Sequence, residues 1–162
     1  MIISDKVLKY GDDINTDGII PGKYLVLTDY KELGKYAMEG VDPKFTTKVK
    51  DFKIIVAGKN FGCGSSREQA PIALKESGLK CVVAKSFARI FYRNAINIGL
   101  PVMECINILD NVDIGDELSI NFKTGVIINQ SKNENYDTNP VPDFILDIMK
   151  EGLVEYVKRN KK

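Results

Sequence analysis

The chain has 162 residues, 23 of them Lys or Arg and 22 Asp or Glu, with three cysteines, no histidine and a formal charge of +1. That length suits one domain with a full core, and a near-neutral balance without a basic block argues against nucleic acid as the main partner. The lack of histidine removes the commonest general base and metal ligand, leaving acid–base work to Ser, Asp, Glu, Lys, Tyr or Cys.

In chain order, Ile2 to Tyr10 reads as a strand of mixed polarity. Gly11-Asp12-Asp13-Ile14-Asn15-Thr16-Asp17-Gly18 is a turn segment, rich in side chains that hydrogen-bond nearby backbone. Ile19 to Leu27 reads as a loop with several exposed apolar residues, and Asp29 to Met38 as a helix closed by Gly40. The centre alternates: strand 52–57, glycine-rich loop, helix 67–77, strand 80–84, helix 86–98 with Ser86 as N-cap, strand 101–105. That order predicts an α/β fold with a mainly parallel central sheet flanked by helices, residues 1–162 forming one domain. In the second helix Phe87, Ile90, Phe91, Ala95 and Ile98 recur at helical spacing and are expected in the core, with Arg89 and Arg93 facing a partner or an anion. Asp116–Phe122 and Val126–Gln130 read as a hairpin about Lys123-Thr124-Gly125. Pro142 opens a C-terminal helix, and Lys158 to Lys162 reads as a solvated basic tail.

No apolar run approaches the about 20 residues of a membrane span. The start, Met1 to Lys6, lacks the pattern of a signal peptide. The expected location is the cytoplasm, with no membrane partner. Cys63, Cys81 and Cys105 stand 18 and 24 residues apart, so this chain alone is expected to hold neither zinc nor an iron–sulfur cluster. Cys81 and Cys105 read as buried hydrophobes. Cys63, between two glycines, is either another structural residue or a thiol activated by a nearby helix start.

The most informative stretch is Asn60-Phe61-Gly62-Cys63-Gly64-Ser65-Ser66-Arg67-Glu68-Gln69-Ala70. It joins a buried strand to a helix start bearing two hydroxyls and a guanidinium, which is the composition of an anion site. Ser65 with Glu68, and Ser66 with Gln69, each fit the capping-box spacing, so the serines either cap the helix or do chemistry. The segment matches neither G-x-G-x-x-G nor G-x-x-x-x-G-K-[ST], and the serine-hydrolase elbow G-x-S-x-G is absent.

This stretch, with Ala84-Lys85-Ser86-Phe87-Ala88-Arg89-Ile90-Phe91 and Asp12 to Asp17 followed by Ile20-Pro21, resembles the swivelling domain of the aconitase superfamily. The segments occur in the family's order across nearly the whole chain. Its length is similar to free-standing small subunits of the isopropylmalate dehydratase and homoaconitase kind. The resemblance implies a swivelling β/β/α-type fold and a large partner subunit carrying a [4Fe–4S] cluster, in a heterodimer or heterotetramer. The implied reaction isomerises a hydroxy-dicarboxylate by loss and re-addition of water. Ser65 then corresponds to the catalytic serine, and Ser66, Arg67 and Gly64 to substrate binders. Asp17 corresponds to an acidic residue near the serine, an ordinary loop cap being the alternative. Tyr24, Leu25, Val26 and Leu27 fall where substrate choice is made. No arginine stands there, so Val26 and Leu27 favour an isopropyl group over a third carboxylate; homocitrate or a methylmalate remains the alternative, Lys23 being the one cation nearby. A small-anion-binding module without catalysis is the competing class.

Overall fold

The computed structural model describes residues 1–161. Seven strands form one sheet in the order β4-β3-β2-β1-β5-β6-β7. Strand β1 (Ile2–Lys9) pairs in parallel with β2 (Ile54–Ala57), β2 with β3 (Cys81–Ala84), and β3 with β4 (Val102–Glu104). The other side of β1 is antiparallel to β5 (Glu117–Asn121), which continues through β6 (Val126–Asn129) to β7 (Glu134–Asp137). The helix-covered parallel arrangement is borne out, and it forms half of a mixed sheet.

The two halves follow from their residues. Strands β2 and β3 are unbroken apolar runs, every residue buried, as a parallel strand covered on both faces requires. Helices α4 (Gln69–Glu76) and α5 (Arg89–Asn97) make the crossovers beside them. Strands β5 and β6 alternate, hiding Leu118, Ile120, Ile127 and Asn129 while Ile128 faces out. Their turn is the predicted one, with Gly125 at φ 76°. Short helices α1 (Thr16–Ile19), α2 (Tyr30–Gly34) and α3 (Phe45–Lys48) lie between β1 and β2, and α6 (Ile108–Asn111) follows β4. Helices α7 (Asp143–Glu151) and α8 (Leu153–Asn160) end the described chain.

Several expectations need correction, beginning with the exposed apolar loop at 19–27: Ile19 and Ile20 are fully buried, Ile19 ending α1, and of the apolar side chains there only Val26 is exposed. The 29–38 helix stops at Gly34, whose backbone packs against that of Glu76 on α4. Helix α5 starts at Arg89 with Ala88 as N-cap, because the Ser86 hydroxyl instead accepts from the Asn60 amide at 2.8 Å. Ile90 is 53 % exposed, not core. Strand β7 has no counterpart in the sequence reading, and helix α8 runs on through Lys158, Arg159 and Asn160, where the sequence reads as a solvated tail.

The parallel half positions the site. Strands β1, β2 and β3 all end on one edge of the sheet, so the segments after them converge there. Pairing continues beyond the strands through the parallel bridges Asn15–Cys63 and Phe61–Phe87. Gly62 donates to Ile14 O at 2.7 Å, Thr16 to Cys63 O at 2.8 Å, and Ala88 to Phe61 O at 2.9 Å. Three loops are thereby zipped into one rigid unit at the carboxyl ends of parallel strands, where open α/β sheets place ligands.

Candidate active site

The central loop, residues 58–68, turns twice through left-handed glycines, Gly62 at φ 81° and Gly64 at φ 93°. Gly62 is required on a second ground: a Cβ there would collide with the ring of Phe91. Phe91, 3 % exposed, is fixed edge-on to Phe61 at 5.3 Å and stacked 6.1 Å from Phe87, so α5 is pinned directly over the turn.

Beyond Gly62 the chain presents Ser65 and Ser66 at the surface and Arg67 half-buried. The capping-box expectation fails here: Glu68, already helical at φ −59° and ψ −31°, precedes α4, and no side chain caps that helix among the described residues. Tertiary bonds explain why. Buried Thr16 donates its hydroxyl to Ser65 O at 2.8 Å, drawing the loop toward α1 and away from a cap geometry. The consequence is chemical. Among the described residues nothing accepts a hydrogen bond from the amides of Gly64, Ser65, Ser66 or Arg67, so a run of N–H groups stands free beside two free hydroxyls. Such a run, next to a helix start, is an anion cradle.

Arg67 is oriented from behind. Its Nη1 donates to Asp17 Oδ1 at 3.0 Å and to Ile20 O at 3.1 Å, leaving the rest of the planar fork available. Asp17 is itself steadied by the Gly22 amide at 3.1 Å. The Arg67 hydrogen bond, then that of Gly22, holds the Asp17 carboxyl below the usual carboxylate range. Asp17 is therefore ionised and committed to the arginine, a geometry beyond that of a simple loop cap.

These groups line a cleft of about 320 Å³. Thr16, Gly64, Ser65, Ser66 and Arg67 make one wall; Arg89, Ile90, Phe91 and Asn94 of α5 make the other. No carboxylate lines it, so the cleft favours anions. A larger groove of about 630 Å³ lies between the two edge strands, lined by Glu104, Asp137 and three asparagines, and has no cation to bind an acid.

The 24–27 segment stands apart from this cleft. Tyr24 stacks on Tyr36 at 3.9 Å and donates to Glu39 at 2.7 Å, while Leu25 and Leu27 pack on the core. Val26 alone is free, 82 % exposed. Lys23 leans over the Tyr24 ring and sits 3.7 Å from Glu39. Sequence alone does not single out Thr16 or Asn94: the first is one turn residue among several, and the second carries no signal beside the apolar face and the two arginines of its helix.

The residues of this chain do not fit an iron–sulfur cluster. Cys81 and Cys105 are buried, and burial pushes both thiols up, away from the thiolate a cluster requires. Among the described residues no three His, Cys, Asp or Glu side chains come together to hold a metal. No helix among them is long and apolar enough to cross a membrane.

A site of this kind, a glycine turn zipped between two neighbouring loops under a swivelling-type sheet, has known counterparts. The model of the aconitase C-terminal domain matches residues 12–107, and the chain belongs to that family. The 3-isopropylmalate dehydratase small subunit of Clostridioides difficile is 54% identical over 162 residues, covering 99% of both chains. That of Methanosarcina acetivorans is 57% identical over 152 residues, covering 93% of each. The crystal structure of 3-isopropylmalate dehydratase from Methanocaldococcus jannaschii superposes with a TM-score of 0.91 at 48% identity, covering 98% of this chain and 95% of the other.

Proposed function

We propose that this chain is the small subunit of a cytoplasmic hydro-lyase that isomerises 2-isopropylmalate to 3-isopropylmalate in leucine biosynthesis. The kinship with 3-isopropylmalate dehydratase small subunits supports the enzyme class. The observation that carries the chemistry is the row of unpartnered amides from Gly64 to Arg67 beside uncapped Ser65 and Ser66.

The difficult step in such a reaction removes a proton from the carbon beside a carboxylate, and charge builds on that carboxylate. Arg67 binds it through the part of its fork that Asp17 leaves open, and the free amides take the developing charge. Ser65 accepts the proton. A serine is a base only as an alkoxide, and here the same amides, the start of α4 and the Arg67 cation favour that form once water is shut out. Ser66 hydrogen-bonds the substrate. Asp17 acts through Arg67 as a positioning residue. The 162 residues work as one swivelling unit closing over a large subunit, in a heterodimer or heterotetramer, and the [4Fe–4S] cluster expected of the family sits on that partner. Closure brings Val26 to the substrate's alkyl group. With no arginine among residues 23–28 and Lys23 paired with Glu39 at 3.7 Å, the loop offers a third carboxylate no fixed bidentate partner, which disfavours homocitrate.

The test mixes this chain anaerobically with a cluster-loaded large subunit and follows the absorbance of the unsaturated intermediate from 2-isopropylmalate. Turnover requiring both proteins is expected, and Ser65→Ala should lower kcat by about 100-fold or more while the subunits still associate. Wild-type rates from Ser65→Ala would overturn the assignment of the base.

A further inference from the structure

Opposite Ser65 and Ser66, the cleft wall formed by α5 carries one side chain that its surroundings do not explain. Asn94 sits mid-helix, three residues after Phe91 and four after Ile90, on the face turned toward the glycine loop. Of its neighbours along that face, Phe91 is buried and Ile90 is exposed at the cleft. A carboxamide is a poor choice there on helix propensity, and its polar atoms are not sealed from solvent, so they stand open to the cleft. Some asparagines serve the fold: Asn15 caps α1, Asn60 binds Asp13, Asn121 holds the hairpin turn and buried Asn129 donates to Asp116; of those whose side chains make no hydrogen bond among the described residues, Asn94 is the one that lines this cleft. Asn94 does none of this. Half-buried, its side chain makes no hydrogen bond among the described residues, and it lines the cleft with Ser65, Ser66 and Arg67.

We propose that Asn94 is a further substrate-binding residue, donating from its amide to a carboxylate or hydroxyl oxygen of the hydroxy-dicarboxylate from the wall facing Ser65. The inference rests on the function proposed above. At about 320 Å³ the cleft is at the small end of ligand sites, so a bound dicarboxylate meets both walls. One wall offers Arg67, the hydroxyls and the loop amides; the other offers Asn94 with the exposed Arg89 beside it. The packing of Phe91 against Gly62 and Phe61 holds α5 rigidly, so Asn94 needs no movement to engage. A neutral amide also suits this wall electrostatically: it binds an anion without offering Arg67 a competing carboxylate.

The experiment uses Asn94→Ala and Asn94→Asp in the reconstituted two-subunit enzyme, with wild type and Ser65→Ala alongside. Asn94→Ala should lower kcat/KM for 2-isopropylmalate about 10- to 100-fold, mainly through KM, the loss expected for one hydrogen bond to a charged group. Asn94→Asp, though isosteric, should fall further than Asn94→Ala, because its carboxylate repels the dianion. A purely structural role predicts the reverse order, since the isostere keeps the packing. Asn94→Ala within twofold of wild type, or Asp closer to wild type than Ala, overturns the inference and leaves the proposed function standing. A wild-type mixture inert on every hydroxy-dicarboxylate, with the partner's cluster intact, removes both. Should Asn94→Ala fail to fold, the ranking of Asn94→Asp against Asn94→Ser decides in the same way.

Discussion

Replacing Gly62 by alanine tests the central claim that the loop is shaped by its contact with α5. Two costs combine there. A non-glycine residue at φ 81° sits in the left-handed region, which costs about 1–2 kcal/mol. The new methyl also strikes the Phe91 side chain, which cannot withdraw because Phe61 at 5.3 Å and Phe87 at 6.1 Å hold it. Forcing a methyl into packing of that kind typically costs about 1–3 kcal/mol. The sum is roughly 2–5 kcal/mol, which in a chain of this size lowers Tm by roughly 4–20 °C. Gly78→Ala supplies the control: φ there is 95° but nothing lies within 4 Å of the added carbon, so only the conformational cost applies. Urea denaturation of both variants, followed by circular dichroism, measures the difference. A Gly62→Ala loss no larger than that of Gly78→Ala would refute the argument, since it would mean that Phe91 does not press on the turn.

Thr16→Val removes the hydrogen bond to Ser65 O while keeping shape, and leaves that carbonyl without its partner; a loss of about 1–2 kcal/mol in urea is expected, with kcat reduced as Ser65 loosens. In Asp17→Asn the tether on Arg67 weakens and kcat/KM should drop in the reconstituted enzyme. Because the Asp17 pKa is lowered in the fold, its stabilising effect is fully present above the ordinary aspartate value of 3.8 and lost as pH falls through the lower folded value; the stability gap between wild type and Asp17→Asn should therefore close only in that acid window. Val26→Arg, at a position 82 % exposed, should leave the melting temperature nearly unchanged and shift preference toward tricarboxylates, and unaltered relative kcat/KM for 2-isopropylmalate and homocitrate would contradict the assignment of the loop.

The parts of this protein legible in its sequence are those decided by local pattern. Ile54–Ala57 and Cys81–Ala84 declare themselves as strands because an unbroken apolar run must be buried on both faces. The hairpin declares itself through alternation about Gly125. The anion-binding character of Gly62 to Arg67 is carried by residue types, and the resemblance points to Ser65 and Arg67 within it. Other features have no local signal. Glu134-Asn135-Tyr136-Asp137 has no apolar alternation and is a strand only because the open edge of β6 offers it hydrogen bonds. Ser65 and Ser66 have cap spacing, yet Thr16, 49 residues away from Ser65, pulls the loop out of that geometry. The bond between Asp17 and Arg67 spans 50 residues, and the facing of Asn94 toward Ser65 exists only because Phe91 packs on a glycine of another loop. Sequence determined which groups the chemistry uses. Tertiary packing decided which of them stay free to do it, because a hydroxyl or amide is available only when no distant partner claims it.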